Sequence, residues 1–205
     1  MRRSYLWTST PPDDHRATEH DGMLHYSLLF IHVAAAMAIF ASLGMEAVAL
    51  AQLRQATDEP ATRASLTTFG WSQRTGGPGG LVLVLSGITL ATMYWHWRGA
   101  WMGLGFLGMV TAMAVGGIMT RRALKRLPQA NNGGRSGALP LDVVPALRQS
   151  FAIRVALLTG VVFLMTAKPE PPVALGALLL AAIIGLIVGR GSARAQSAPA
   201  AVRSR

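Results

Sequence analysis

The chain has 205 residues, of which 51% are hydrophobic and only 14% charged, against roughly 25% charged in an ordinary soluble domain, so it is poor in the groups that hold water at a globular surface. Lys and Arg outnumber Asp and Glu by 19 to 9, for a formal charge of +10, but they sit in short segments bracketing long uncharged runs, a pattern of membrane topology and not of nucleic-acid binding. The absence of cysteine removes disulfides, thiolate metal sites and cysteine nucleophiles.

Residues 1–22 form a polar N-terminal segment. It opens Met1-Arg2-Arg3, yet Asp13, Asp14, Glu19 and Asp21 precede the first apolar run, whereas a cleaved signal needs its apolar region close behind the positive charges. Ala47-Val48-Ala49 and Ala49-Leu50-Ala51 offer small residues at the end of that run, but the run is long for a signal and Glu46 interrupts its end. The expectation is an uncleaved first helix.

A bundle of five spans follows over residues 23–190. No residue is formally charged from Leu24 to Met45, Gly79 to Trp97, Gly99 to Thr120 or Pro171 to Gly189, and each run is near the roughly 20 residues a helix needs to cross about 30 Å of hydrocarbon. The segment from Gln149 to Ala167 is apolar except for Arg154, one turn inside its start, where a long side chain snorkels or finds an acidic partner. Continuous apolar runs fit helices; barrel strands are short and alternate. The predicted architecture is all-α, a polytopic transmembrane helical bundle with spans near 24–51, 79–97, 99–120, 149–167 and 171–189, followed by a flexible basic C-terminal tail over 191–205.

Charge sets the orientation. Arg54, Arg63, Arg74, Arg121, Arg122, Lys125, Arg126, Arg135, Arg148, Arg190, Arg194, Arg203 and Arg205 fall on one side of the five spans, and Arg2, Arg3, Arg16, Arg98 and Lys168 on the other. The positive-inside rule places the larger set in the cytoplasm, with the amino terminus outside and the carboxyl terminus inside. Tyr94, Trp95, Trp97 and Trp101 cluster around Arg98-Gly99 as an aromatic belt at the outer headgroup level. Lys168-Pro169-Glu170-Pro171-Pro172 reads as a second tight outer turn, and Asn131-Asn132-Gly133-Gly134 as a solvated loop.

Small residues recur at four-residue spacing: Gly108, Ala112 and Gly116 in the third span, Ala152, Ala156 and Gly160 in the fourth, and Ala177, Ala181, Gly185 and Gly189 in the fifth. Such stripes let helix backbones approach in lipid. They fit one tight bundle, or, with a stripe left over on the last helix, a homo-oligomer or a membrane partner.

His25, His32 and Glu46 are separated by multiples of seven and so share one helix stripe. Glu46 lies at a depth similar to that of Arg154, which makes a buried ion pair, or a proton or cation site, the candidate role of these two; Arg74, Arg121 and Arg122 are the alternative partners. His25, His32 and His96 lie toward the outer side near Met23, Met93 and Met102, ligand types that admit haem or copper. However, His32 is roughly 10 Å deeper than His25 and the interfacial His96. Ser72-Gln73-Arg74-Thr75-Gly76-Gly77-Pro78-Gly79-Gly80 looks superficially like a phosphate-binding loop, but it lacks the lysine and hydroxyl after the glycine and no strand precedes it. It reads as a flexible entry into the second span.

His32 with Gly44-Met45-Glu46, Arg74 with Gly77-Pro78, Leu85-Ser86-Gly87-Ile88-Thr89-Leu90 ahead of a Trp-rich turn, and Gly160-Val161-Val162-Phe163-Leu164-Met165-Thr166-Ala167-Lys168-Pro169 together resemble bacterial multi-pass proteins of a domain-of-unknown-function family. The resemblance implies a bacterial cytoplasmic-membrane protein and lends no activity. A more remote likeness is to the copper-resistance D-type membrane domain, which implies metal or haem. No catalytic arrangement is legible, so the chain is expected to be a non-catalytic accessory or scaffold component of the membrane. The alternatives are a haem or copper redox protein and a small proton-coupled or ion transporter.

Overall fold

The computed structural model describes residues 14–125 and 143–197, and side chains within residues 22–125 and 143–190. The Asn131–Gly134 loop, Arg126, Arg135 and residues 198–205 lie outside the described residues. The order is α1 (Asp14–Gln55), α2 (Glu59–Leu90), a π-helical turn (Ala91–Trp95), α3 (Ala100–Lys125), α4 (Val143–Ala167) and α5 (Pro171–Ser197). Among the described residues every regular element is helical, and five helices are long and apolar enough to cross a membrane. α1 starts at Asp14, inside the segment read from sequence as polar, and α5 continues through residues 191–197 of the basic tail.

The ends of the helices have local causes. Asp58 caps α2, its carboxylate accepting from Ala61 N at 2.8 Å, with Pro60 in the first turn where a missing N–H costs nothing. α2 passes into the π turn and stops where His96 and Trp97 adopt positive φ of 48° and 55° and Gly99 reaches 130°. α4 ends at Lys168, φ 46°, ahead of Pro169.

One sequence reading is corrected here. The Gly76–Gly80 stretch is not a flexible entry but continuous helix, with Pro78 inside α2. Three of its four glycines, Gly76, Gly79 and Gly80, stand at close approaches. A Cβ at Gly76 would overlap the Ser42 hydroxyl, one at Gly79 would touch Ala38, Ile39 and the Ala35 carbonyl, and one at Gly80 would lie 3.2 Å from the Met113 methyl. The packing of α1 on α2 offsets the low helix propensity of this stretch.

α1 and α2 form a long antiparallel hairpin, and at about 1.5 Å per residue the 42 residues of α1 span some 63 Å, well beyond the hydrocarbon thickness. The register is constant along it: Glu46 meets Gln73, Ser42 meets Gly76, His32 meets Ser86 and His25 meets Tyr94. The second unit is α3, α4 and α5, with α4 at its centre, packed on both neighbours and reaching α1. α2 and α3 barely touch, although a short turn joins them.

Side-chain polarity is distributed as lipid demands. Serines 42, 65, 72, 86 and 150, Thr120 and Glu46 are buried, whereas Phe30, Met37, Leu179, Leu180 and Ile187 are exposed on the outer faces. A soluble bundle would show the reverse. The chain thus has the architecture of a multi-pass membrane protein, its helices enclosing the polar groups that hydrocarbon cannot satisfy.

Candidate functional site

Among the described residues the interior contains one buried charge pair. Glu46 comes from α1, where its spacing from His25 and His32 turns it toward α2 and the bundle centre, and its side chain is 1% exposed. Arg154 comes from α4, about three turns from its start at Val143, and is 11% exposed. Arg154 Nη2 donates to Glu46 Oε1, Gln73 Nε2 of α2 donates to Glu46 Oε2 at 3.3 Å, and Arg154 Nε donates to the Ser150 carbonyl at 3.3 Å. Thus α1, α2 and α4 are joined through one carboxylate.

Room for the guanidinium is provided by α3. A Cβ at Gly116 would stand 2.6 Å from Arg154 Cδ, so the absent side chain is what admits the arginine. Next to it Thr120 and Ser150 hydroxyls lie 3.4 Å apart. The pair is bracketed by apolar packing. Ile39, Leu43, Met109, Ala112, Ile153, Leu157 and Leu158 form a cluster on one side, and Leu50, Leu53, Phe69, Val143 and Leu147 belong to another on the other. Between α2 and α3 a cavity of about 440 Å³ reaches Arg154 and is lined in part by Ser42, Ser72, Gln73, Thr120 and Arg121.

The other arginines considered from sequence do not reach Glu46. Arg74 lies over the Trp71 ring, 5.5 Å from its centroid, Arg121 lines the cavity from an exposed position, and Arg122 is exposed. Gln73 and Gly116 are participants that the sequence alone does not assign to this site. Gln73 is legible only once the hairpin register is known, and Gly116 had been noticed only as a packing residue.

The three histidines occupy separate settings. His25 lies edge-on to Tyr94 with centroids 4.3 Å apart, and its Nδ1 has no hydrogen-bond partner among the described residues. His32 Nδ1 is 3.0 Å from Ser86 Oγ, which itself donates to the Val82 carbonyl at 2.7 Å. His96 is exposed in the turn after α2. No three His, Asp or Glu side chains stand together as a metal site among the described residues. Of the methionines, Met102 is buried in the bundle while Met23 and Met93 are exposed.

The small-residue stripes face one another within the chain. A Cβ at Gly160 would touch Ala181 at 3.1 Å, one at Gly185 would stand 2.7 Å from Ile153 Cα, and one at Gly189 would reach Gln149 Cα at 3.0 Å, so α4 and α5 lie backbone to backbone. Gly108 of α3 admits Val161 and Leu178 in the same way.

Fold and site together define a multi-pass helical bundle with one buried, three-helix ion-pair junction. No protein-family model matches the chain, and no curated protein or solved structure matches it either.

Proposed function

We propose that the chain is a non-catalytic accessory or scaffold component of a bacterial cytoplasmic membrane, with its amino terminus outside and its carboxyl terminus in the cytoplasm. The observation that carries this reading is the enclosure of Glu46: one carboxylate oxygen is held by Arg154, the other by Gln73, and the side chain is 1% exposed between apolar clusters. A carboxylate that relays protons or cations needs a water or polar path that reaches it. One that is enclosed and bonded to side chains of two other helices acts as a fastener between them. The excess of Lys and Arg at one end of the helices supports the orientation, and the resemblance to bacterial multi-pass proteins supports the membrane.

The polar cavity beside the pair supports a second reading, a proton-coupled or ion transporter that opens the Glu46–Arg154 contact during its cycle. Vesicles reconstituted with the wild type and with Glu46→Gln separate the two. The scaffold reading expects background proton flux from both and lower stability in the variant. A proton flux present in the wild type and abolished by Glu46→Gln overturns it.

A further inference from the structure

α2 and α3 are joined by a short turn yet barely touch, and the outer half of the space between them is a second cleft of about 430 Å³, within the roughly 300–1,000 Å³ range of small-molecule sites. Its walls are apolar for most of their length, with Val33 from α1, Val84 and Ile88 from α2, and Phe106 and Met109 from α3. Two glycines in its wall admit side chains that also line it: a Cβ at Gly87 would press on the His32 ring at 3.1 Å, and one at Gly105 would overlap the Met165 methyl.

The mouth has a different chemistry. Trp95 and Trp101 meet edge to face there with centroids 6.2 Å apart, and Lys168 Nζ stands over both rings, 5.8 Å and 5.6 Å from their centroids. Lys168 is exposed and has no carboxylate partner among the described residues, its recorded contacts being the two aromatic faces. The rings attract the ammonium without neutralising it, so its charge and its donors remain available. An apolar slot in lipid is filled by hydrocarbon, because water has no polar partners there. An unneutralised cation at headgroup depth then selects for an anionic headgroup, as basic pockets between membrane helices do.

We propose that this cleft holds one acyl chain of an anionic phospholipid, with Lys168 gripping the headgroup phosphate at the Trp95–Trp101 mouth. The second chain stays in the surrounding bilayer. The site is separate from Glu46 and stands whichever way the bundle is oriented.

The test is native mass spectrometry of the full chain in mild detergent, titrated with phosphatidylglycerol and phosphatidylcholine of identical chains. One phosphatidylglycerol is expected to be retained in preference to phosphatidylcholine. Lys168→Gln should weaken it by about fivefold, the equivalent of one lysine near a lipid phosphate, and Lys168→Arg should keep it. Ile88→Trp, which fills the slot without touching the charge, should remove retention of both lipids. Equal retention of the two lipids by the wild type overturns the proposal, as does a preference unchanged in Lys168→Gln. Displacement of the lipid by glycerol phosphate alone also overturns it, since the chain would then contribute nothing. Circular dichroism of each variant separates lost binding from lost fold.

Discussion

Glu46 and Arg154 stand 108 residues apart in the chain and meet as an ion pair whose carboxylate side is 1% exposed. Their meeting ties the α1–α2 hairpin to α4, and so to the second unit, across a boundary where α2 and α3 contribute little. Removing either charge leaves the other stranded between apolar clusters. Removing both leaves nothing to strand.

Glu46→Gln and Arg154→Met should therefore each destabilise the bundle by about 3–5 kcal/mol, the usual cost of an uncompensated buried charge. The double variant Glu46→Met/Arg154→Met should recover most of that loss, because well-packed apolar replacements for a buried pair are commonly neutral or better. Unfolding in mixed detergent micelles measures all three. A double variant as unstable as the sum of the singles would mean that the two residues act independently.

The α4–α5 contact depends on missing side chains. Gly185→Leu places carbon where Ile153 Cα and the Ala152 carbonyl already stand, at 2.7 Å and 3.1 Å from the first added atom. It should cost about 1–3 kcal/mol as an overpacked interface. Gly176→Leu, on the same helix with open space beside it, should change stability by no more than about 0.5 kcal/mol. Similar losses from the two would show that helix propensity, not the close approach, governs this helix.

Residue chemistry makes some of this structure legible and hides the rest. Long charge-free runs reveal helices because a membrane span has to exclude charge along its whole length, and depth counted along those runs is what names Glu46 and Arg154 as candidates for each other. The same criterion misses the half of α2 from Glu59 to Pro78, because that half contains Arg63, Arg74 and six hydroxyl residues and is held as helix by α1. Gly76 and Gly79 illustrate the difficulty. A glycine cluster reads as a loop from local propensity alone, and only the presence of Ser42, Ala38 and Ile39 opposite makes it a packing surface. The small-residue stripes were readable as interfaces, but which stripe meets which is a property of the assembled bundle.

His32 and Ser86 fasten the half of the hairpin nearer the Trp-rich turn by a single hydrogen bond of 3.0 Å. Hydrogen bonds between membrane helices average only about 0.6 kcal/mol, with a maximum near 1.7, so Ser86→Ala should be mild. A double-mutant cycle with His32→Leu should give a coupling energy within that range. Gly87→Val should be worse than Ser86→Ala, since it drives a branched side chain against the His32 ring. Zero coupling between positions 32 and 86 would place the histidine's role elsewhere.

Orientation can be read chemically because the chain has no cysteine of its own. Single cysteines at Thr57, Ala100, Lys125 and Glu170 all fall at exposed helix ends or turns, at alternating ends of the bundle. A membrane-impermeant maleimide added to intact cells should label the cysteines at 100 and 170 and leave those at 57 and 125 unlabelled until the membrane is permeabilised. The reason is electrostatic: Arg54, Arg63, Arg74, Arg121, Arg122 and Lys125 crowd the end that carries 57 and 125, whereas Arg98 and Lys168 are the only basic residues of the two turns at the other end, and basic excess remains on the cytoplasmic side. The opposite labelling pattern would invert the orientation while leaving the helices, the ion pair and the lipid cleft where they are.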